Sequence, residues 1–413
     1  MKILLSLICF FLITSGFSQT LLTDSTSGCK YWLPWNCDIC TLNWTGNCLD
    51  SLPNGNGVLT VSYGADQVLK YEGEMENGQF EGIGNYSDSQ NELNGYFKNG
   101  NFINLDESLS KYIEKNSVNN SDTTRIYVGD GGSTELFYYA LEPKDTTEGV
   151  LVLFPSTWES AENVINNNIE LTRLAHKENL LLIIPSINYN VCLDETSMSF
   201  LNTAFKHMID KYTPPINKIV LGGFSLGGMN AIRYTEMAYS NIGKTLFKPA
   251  AVYGVDPPLD LERLFISFER TLEKNFSKPA MQEASDYINK MNLKFGGRPD
   301  DFREIYVKHS MYSKSEKDGG NAKYLVNVPV RIYCDPDIEW QLNNRRMDYY
   351  DMNALDQTAM INYLLLSGST KAEFINAVGK GYRMDGRRHP HSWSLVEPED
   401  CINWLLKNIK QRL

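Results

Sequence analysis

Several short segments after about residue 120 of this 413-residue chain are apolar at every position. The clearest are Val150–Phe154, Leu180–Pro185 and Ile219–Leu221, and they alternate with amphipathic stretches at Ser160–His176 and Ser197–Tyr212. A strand without polar alternation is typical of a parallel sheet covered on both faces, and amphipathic stretches supply the crossover helices that parallel strands need. The pattern therefore predicts an α/β structure, with a mostly parallel sheet and helices on both faces.

Other segments extend this sheet. Arg125–Val128 and Glu135–Ala140, separated by the glycine-rich turn at 129–132, predict an antiparallel hairpin at its start. Further strands are predicted at Ala250–Val255, Val330–Cys334 and Ala372–Val378. An insertion at 258–326 has helical periodicity, which predicts helices at Leu259–Lys274, Ala280–Lys294 and Asp300–Lys308.

A serine lies where the third parallel strand meets a helical stretch, in Gly223-Phe224-Ser225-Leu226-Gly227. Strand, G-x-S-x-G and helix together resemble the nucleophile elbow of the α/β hydrolases. In such a turn the flanking glycines give room for a strained backbone, and the helix N-terminus faces the hydroxyl. The resemblance covers residues 122–413, implies Ser225 as the nucleophile, and implies that the insertion forms a lid over the pocket.

A serine nucleophile needs a base, and the base needs an acid that fixes its tautomer. In this family the acid follows a late strand, and here Val330–Cys334 runs into three carboxylates. We expect Asp337 to be the acid, because it lies far enough past the strand to turn back over the sheet. Asp335, which precedes a proline, is the alternative, and Glu339 comes third.

The family's histidine follows the last strand, where this chain has His389 and His391. We expect His391 to be the base, because it lies nearer the C-terminal helix and His389 is restricted by the proline after it. Backbone N–H groups of Leu226 and Thr157 are expected to form the oxyanion hole, with Ser156 and Trp158 as alternatives to Thr157.

Residues 19–105 have a different composition. Cys29, Cys37, Cys40 and Cys48 predict two local disulfides in one of three pairings, whereas Cys192, Cys334 and Cys401 are expected to be buried. An aromatic-x-Gly pattern occurs as Trp44-Thr45-Gly46 and Tyr71-Glu72-Gly73, and in a weaker form, with leucine in place of the aromatic residue, as Leu93-Asn94-Gly95. Asn77-Gly78 and Asn99-Gly100 predict tight hairpins.

This repeat resembles MORN repeats, which implies an array of small β-hairpins. The resemblance implies either a structural role or contact with a protein or surface. A polar linker is expected at 106–121.

The first 18 residues, with Lys2 followed by the apolar run Ile3–Thr14 and small residues up to Ser18, predict a cleaved signal peptide and export. The apolar run is too short for a transmembrane span. A net charge of −11 argues against a nucleic-acid partner. No metal-binding motif such as H-E-x-x-H occurs, and no metal or other cofactor is predicted.

Together these features predict an exported serine hydrolase that cleaves small-molecule or polymeric carboxylic esters through an acyl-enzyme. A peptidase or amidase would use the same triad and is an alternative. A non-catalytic surface binding protein with the same fold is another.

Overall fold

The structure is a computed structural model that describes residues 20–33, 37, 39–63, 67–118, 126–129, 133–240 and 245–410. The chain divides into two compact units, the first ending at Ser110 and the second beginning at Lys111. The predicted signal peptide, Arg125 and the turn residues 130–132 lie outside the described residues. No helix within the described ranges is long and apolar enough to cross a membrane.

The first unit consists of short antiparallel strands and one short helix. They are β1 (Thr20–Thr23), β2 (Lys30–Leu33), β3 (Cys40–Trp44), β4 (Asn47–Leu49), β5 (Leu52–Tyr63), β6 (Gln67–Glu76), β7 (Gln79–Ser87), β8 (Glu92–Lys98), β9 (Asn101–Ile103) and α1 (Glu107–Ser110). β1 pairs with β2, and the larger sheet has the order β3-β5-β6-β7-β8-β9, with β4 on β5. Consecutive long strands are therefore neighbours.

The two Asn-Gly pairs form the predicted hairpin turns. Asn77-Gly78 joins β6 to β7 and Asn99-Gly100 joins β8 to β9, with positive φ at all four residues. That backbone twist matches the twist of paired strands and suits asparagine and glycine. The disulfides Cys29–Cys48 and Cys37–Cys40 confirm two local pairs and select one of the three pairings.

The aromatic-x-Gly repeat has a packing explanation. A Cβ atom on Gly46 would lie 2.3 Å from the Trp44 ring, and one on Gly73 would lie 2.6 Å from the Tyr71 hydroxyl. Trp44 and Tyr71 are buried in the core of this unit. Each ring therefore lies flat against the backbone two residues further on, where only glycine leaves room.

The second unit contains an eight-stranded mixed sheet. Its strands are β10 (Ile113–Ser117), β11 (Phe137–Leu141), β12 (Gly149–Phe154), β13 (Leu180–Pro185), β14 (Ile219–Phe224), β15 (Ala251–Val255), β16 (Val330–Cys334) and β17 (Ala372–Asn376). The order is β10-β11-β13-β12-β14-β15-β16-β17. The pairings β10·β11 and β11·β13 are antiparallel, and all the others are parallel.

The predicted first hairpin is wrong in its first strand. β11 pairs with β10, with Ile113 opposite Leu141, and the described residues 126–129 form no strand. β10 lies inside the segment predicted to be a linker. Its polar sequence, Ile-Glu-Lys-Asn-Ser, suits an edge strand with one solvated face and lacks the apolar signal by which the inner strands are recognised.

Ten α-helices of the described residues belong to this unit, together with 3₁₀ helices at Gly320–Leu325 and Trp393–Leu395. The α-helices are α2 (Ala161–Asn167), α3 (Ile169–Lys177), α4 (Glu195–Tyr212), α5 (Leu226–Ser240), α6 (Leu261–Lys274), α7 (Lys278–Phe295), α8 (Pro299–His309), α9 (Ile338–Arg345), α10 (Ala354–Leu366) and α11 (Pro398–Lys410). The three helices predicted in the insertion are present as α6, α7 and α8. Cys192, Cys334 and Cys401 are free and buried, as expected.

Helices cover both faces of the sheet. Tyr253 packs edge-on against Trp404 of α11, whereas a Cβ on the next residue, Gly254, would meet Ile232 of α5 at 3.2 Å. Because successive strand residues point to opposite faces, α5 and α11 lie on opposite sides. Every residue of β12, β13 and β14 is accordingly buried.

Candidate active site

Ser225 occupies a strained turn between β14 and α5. Its φ is 53°, in the left-handed region that a non-glycine residue seldom adopts, and its N–H donates to Val255 O at 2.9 Å. Strain of this kind persists where the surrounding structure enforces it and is common at functional sites. The turn sets the serine at the carboxyl edge of the sheet, directly before the first residue of α5.

Two glycines make this turn possible. A Cβ on Gly223 would lie 2.2 Å from the carbonyl carbon of Gly227, and a Cβ on Gly227 would lie 2.1 Å from Phe154 O. The second contact shows that the segment after β12 passes directly against the serine turn. Any side chain at Gly227 would push the two segments apart.

His391 faces the turn and pairs with an acid. Its Nδ1 lies 2.7 Å from Asp256 Oδ2, and its ring centroid lies 4.5 Å from that of Phe224, the residue before Ser225. Neither His391 Nε2 nor Ser225 Oγ has a hydrogen-bond partner among the described residues. The Nε2 atom is therefore the one that remains available to the serine.

Asp256 is held rigidly at the end of β15. Its φ is 45°, and its N–H donates to Tyr333 O at 2.8 Å. Its Oδ1 accepts from Gln357 Nε2 at 2.9 Å and from Cys334 Sγ at 3.5 Å. Burial raises the pKa of the Cys334 thiol, which keeps that group protonated as a donor. Asp256 thus has one oxygen fixed by donors and the other directed at His391.

The structure does not bring Asp337 or Asp335 to the histidine. Asp337 caps α9 by accepting from Trp340 N at 2.9 Å and pairs with Arg388 Nη2 at 2.7 Å. Asp335 accepts from Gly381 N at 3.2 Å and pairs with the same Arg388 nitrogen at 2.6 Å. Both carboxylates therefore hold the loop that carries the histidines. Glu339 is exposed in the first turn of α9.

His389 has different surroundings from His391. Its ring packs edge-on against Trp340, and its nitrogens contact Arg345 at 3.2 Å and Arg383 at 3.4 Å. Burial, followed by the charges of Arg383 and Arg345, lowers the pKa of His389 to about 2. The imidazole is neutral at physiological pH, and no carboxylate of the described residues orients it.

The remaining histidines lie away from the serine turn. His176 bonds to Glu142 O, His207 bonds to the Tyr138 hydroxyl, and His309 stacks on Phe295 in the insertion. Burial lowers the pKa of His309 to about 4. Within the described ranges, no group of three or more His, Cys, Asp or Glu side chains is arranged to hold a metal ion.

Of the four N–H groups considered for the oxyanion hole, two have an acceptor among the described residues and two do not. Ser156 N donates to Glu159 Oε2 at 2.9 Å, and Trp158 N donates to Asn188 O at 3.0 Å. The N–H groups of Thr157 and Leu226 have no acceptor in the part of the chain that the structure describes. Leu226 begins α5, where N–H groups lack intrahelical partners.

Glu159 joins the segment that follows β12 to the loop that carries His389 and His391. It accepts from Ser156 N and, at 2.8 and 3.0 Å, from Trp393 Nε1, while Asn167 donates to its Oε1 at 2.9 Å. The Trp393 ring in turn lies 5.6 Å from the Phe224 ring. Burial raises the pKa of Glu159 to about 7.

The helical insertion reaches the same segment. Tyr287 of α7 shares a hydrogen bond with Thr157 Oγ1, and Lys290 of α7 lies over the ring of Tyr189, with Nζ 3.4 Å from the centroid. The insertion therefore contacts Thr157, one of the two residues whose N–H is unpaired.

Asp256 was not among the acids expected from the sequence. The resemblance to the α/β hydrolases directs attention to a later strand, β16. A signal was present, because Asp256 is the first residue after the apolar strand β15 and precedes Pro257-Pro258. An acid at the carboxyl end of the strand beside the nucleophile strand necessarily lies near the nucleophile.

No model of a known protein family matches the sequence, and comparison with the curated proteins gave no match. Among solved structures, the chain is similar to a lipase/esterase from Lactobacillus plantarum, with 12% identity over 71% of this chain and 97% of that one and a TM-score of 0.41. It is also similar to an acylaminoacyl peptidase from Pyrococcus horikoshii, with 11% identity, 87% and 53% coverage and a TM-score of 0.46. A third is esterase B from Lactobacillus rhamnosis, with 12% identity, 74% and 89% coverage and a TM-score of 0.44. At these identities and TM-scores the likenesses do not bear on substrate or mechanism.

Proposed function

We propose that this protein is a serine hydrolase of the α/β-hydrolase type that cleaves carboxylic esters, with Ser225, His391 and Asp256 as its triad. The observation that carries the proposal is the 2.7 Å contact between His391 and Asp256, which are 135 residues apart in sequence. It is supported by the left-handed backbone of Ser225 in a strand-to-helix turn. Asp256 takes the role that the sequence suggested for Asp337.

In the acylation step, Ser225 Oγ attacks the ester carbonyl carbon while His391 Nε2 takes the hydroxyl proton. The Nδ1–H of the resulting imidazolium donates to Asp256 Oδ2, which fixes the tautomer and offsets the positive charge. The negative charge on the former carbonyl oxygen accepts hydrogen bonds from Leu226 N–H and Thr157 N–H. When the carbon–oxygen bond breaks, His391 returns its proton to the departing alcohol.

Deacylation repeats the same steps with water. His391 Nε2 takes a proton from water as its oxygen attacks the acyl carbon, and the two N–H donors again stabilise the oxyanion. The proton then passes to Ser225 Oγ as the carboxylic acid leaves. Ester cleavage is easier for this triad than amide cleavage, since an alcohol departs more readily than an amine.

The insertion at 258–326 is proposed to cover the site. Its Tyr287 bonds to Thr157, so that movement of α7 would also move an oxyanion donor. Covering the site excludes water and strengthens hydrogen bonds to the developing charge.

Export and surface contacts of the repeat unit remain predictions. Two disulfides in the first unit are compatible with an oxidising compartment. Sequencing the amino terminus of the protein recovered from its native cells tests cleavage after Ser18.

A fluorophosphonate probe, which reacts covalently with activated serines, tests the proposed function. We expect wild-type protein and Ser199→Ala, which changes an exposed serine on α4, to be labelled equally and Ser225→Ala not at all. Absence of labelling of folded wild-type protein, or equal labelling of Ser225→Ala, would contradict the proposal. Matched p-nitrophenyl esters and p-nitroanilides then distinguish ester from amide hydrolysis.

A further inference from the structure

Three of the described arginines form no ion pair with a carboxylate. They are Arg345 and Arg346 at the end of α9 and Arg383 in the loop that carries the histidines. The other arginines that the structure describes all form ion pairs with aspartate or glutamate. Arg346 Cζ lies 4.7 Å from the centroid of the Phe276 ring, so the guanidinium groups that come together are those of Arg345 and Arg383. In a chain with a net charge of −11, two unpaired guanidinium groups at one place indicate a ligand that carries negative charge.

Two of these guanidinium groups converge on one imidazole. Arg345 Nη2 lies 3.2 Å from His389 Nε2, and Arg383 Nη2 lies 3.4 Å from His389 Nδ1. A neutral imidazole has one donor nitrogen and one acceptor nitrogen, so it can accept from only one of the two arginines. His389 Nδ1 also lies 2.9 Å from His391 O, to which an Nδ1–H would donate, and 3.2 Å from His391 N, which donates to an unprotonated Nδ1. In the first tautomer Arg383 has no acceptor at this ring, and in the second Arg345 has none.

The pair lies beside the proposed nucleophile. Arg383 Cζ is 6.0 Å from the centroid of the Phe224 ring, and the same ring contacts His391. Phe224 directly precedes Ser225. An anionic group held by Arg383 would therefore lie near enough to the serine for one substrate molecule to contact both.

Most of the carboxylates near the two arginines are already engaged. Asp335 and Asp337 pair with Arg388, and Asp385 pairs with Arg387 at 2.5 Å. Glu159 accepts from the backbone and from Trp393. Glu283 of α7 also acts on Arg383 electrostatically, but it forms no ion pair with it. Arg345 and Arg383 are thus exposed or half-buried, and neither forms an ion pair with a described carboxylate.

We propose that Arg345 and Arg383 form a subsite for an ionised carboxylate on the substrate, so that the enzyme prefers esters that carry a negative charge. The inference rests on the proposed function and names its substrate class. A carboxylate between the two guanidinium groups accepts charge-assisted hydrogen bonds from both and removes their mutual repulsion. The planar fork of arginine matches the two carboxylate oxygens.

Matched esters test the subsite. The mono-p-nitrophenyl ester of adipic acid and p-nitrophenyl hexanoate have acyl chains of equal length and differ in one terminal carboxylate. We expect kcat/KM for the anionic ester to exceed that for the neutral ester by about tenfold to hundredfold, the effect of one or two hydrogen bonds to a charged group. The preference should fall with added NaCl, because salt screens the attraction.

The variants Arg345→Gln and Arg383→Gln should each lower the ratio of the two kcat/KM values by about tenfold. Arg383→Lys keeps the positive charge and should retain part of the preference. Arg387→Gln, an exposed arginine already paired with Asp385, is the matched control and should leave the ratio unchanged. Comparing 4-carboxyphenyl hexanoate with phenyl hexanoate across the same variants shows whether the anion sits on the acyl or the alcohol side.

An equal change in kcat/KM for charged and neutral esters in both glutamine variants, for both ester pairs, would overturn the subsite, since the arginines would then serve only the loop's structure. In that case fluorophosphonate labelling of Ser225 would persist and the proposed hydrolase would stand. Absence of labelling together with absence of turnover of every ester would overturn both proposals.

Discussion

Replacing Asp256 with asparagine is the sharpest test of the proposed triad. Asparagine has nearly the same shape as aspartate, so most of the hydrogen bonds around residue 256 are kept. Gln357 Nε2 donates to Oδ1 of residue 256, which selects the orientation in which the asparagine carbonyl faces Gln357. The asparagine NH2 then faces His391 Nδ1 and forces the proton onto Nε2. A histidine with a protonated Nε2 cannot take the proton of Ser225.

The size of the effect follows from the geometry. With Oδ2 and Nδ1 2.7 Å apart, the centres of the carboxylate and imidazolium charges are about 4 Å apart. At an effective dielectric constant near 20 their attraction is about 4 kcal/mol, which corresponds to roughly a thousandfold in rate. The wrong tautomer adds to this loss. We therefore expect kcat for a neutral p-nitrophenyl ester to fall about thousandfold or more, with little change in KM.

Asp337→Asn is the matched control, because Asp337 contacts Arg388 and Trp340 but not the histidine. It should lower kcat by less than about tenfold. Steady-state rates and thermal melting curves of both variants distinguish a catalytic loss from unfolding. If Asp337→Asn removed activity while Asp256→Asn kept it, with both proteins folded, the assignment of the acid would be refuted.

Three further predictions concern the surroundings of the triad. Gly227→Ala should lower the melting temperature and abolish fluorophosphonate labelling, because its Cβ would lie 2.1 Å from Phe154 O; unchanged labelling would contradict the proposed turn. His391→Asn should lower kcat for a neutral ester by about a hundredfold to ten-thousandfold and His389→Asn by less than tenfold, and the reverse order would identify His389 as the base. Burial raises the pKa of Glu159 from 4.5 to about 7, so folding favours its protonated form. Protonated Glu159 therefore adds to the free energy of unfolding below about pH 4.5, and this contribution is lost as the pH rises through about 7. Denaturant titrations across this range should show the loss in wild-type protein and a flatter profile in Glu159→Gln.

The inner part of the sheet was predictable because burial on both faces leaves a strong apolar signal. β12, β13 and β14 follow the predicted segments closely, and so do the helices of the insertion. β10 was not predictable in this way. It lies at the edge, has one solvated face, and its five residues contain only one large apolar side chain.

The candidate site was predictable in part for a related reason. Ser225 lies in a turn of five residues, and this turn could be recognised from the sequence of those five residues alone. The acid is chosen by proximity in three dimensions, and Asp256, Asp335 and Asp337 all follow strand ends in sequence. What separates them is which strand lies next to β14 in the sheet, a tertiary property that no local pattern records.

The hydrogen bond from Ser225 N to Val255 O joins the turn that carries Ser225 to the residue before Asp256. The proposed nucleophile and acid therefore follow adjacent strands of one sheet, which holds both in place. His391, by contrast, lies on a long irregular loop, and the ion pairs of Arg388 with Asp335 and Asp337 hold this loop in place. In the proposed triad, breaking both ion pairs of Arg388 would displace His391 while the sheet stayed intact, so activity could be changed at this loop without unfolding the protein.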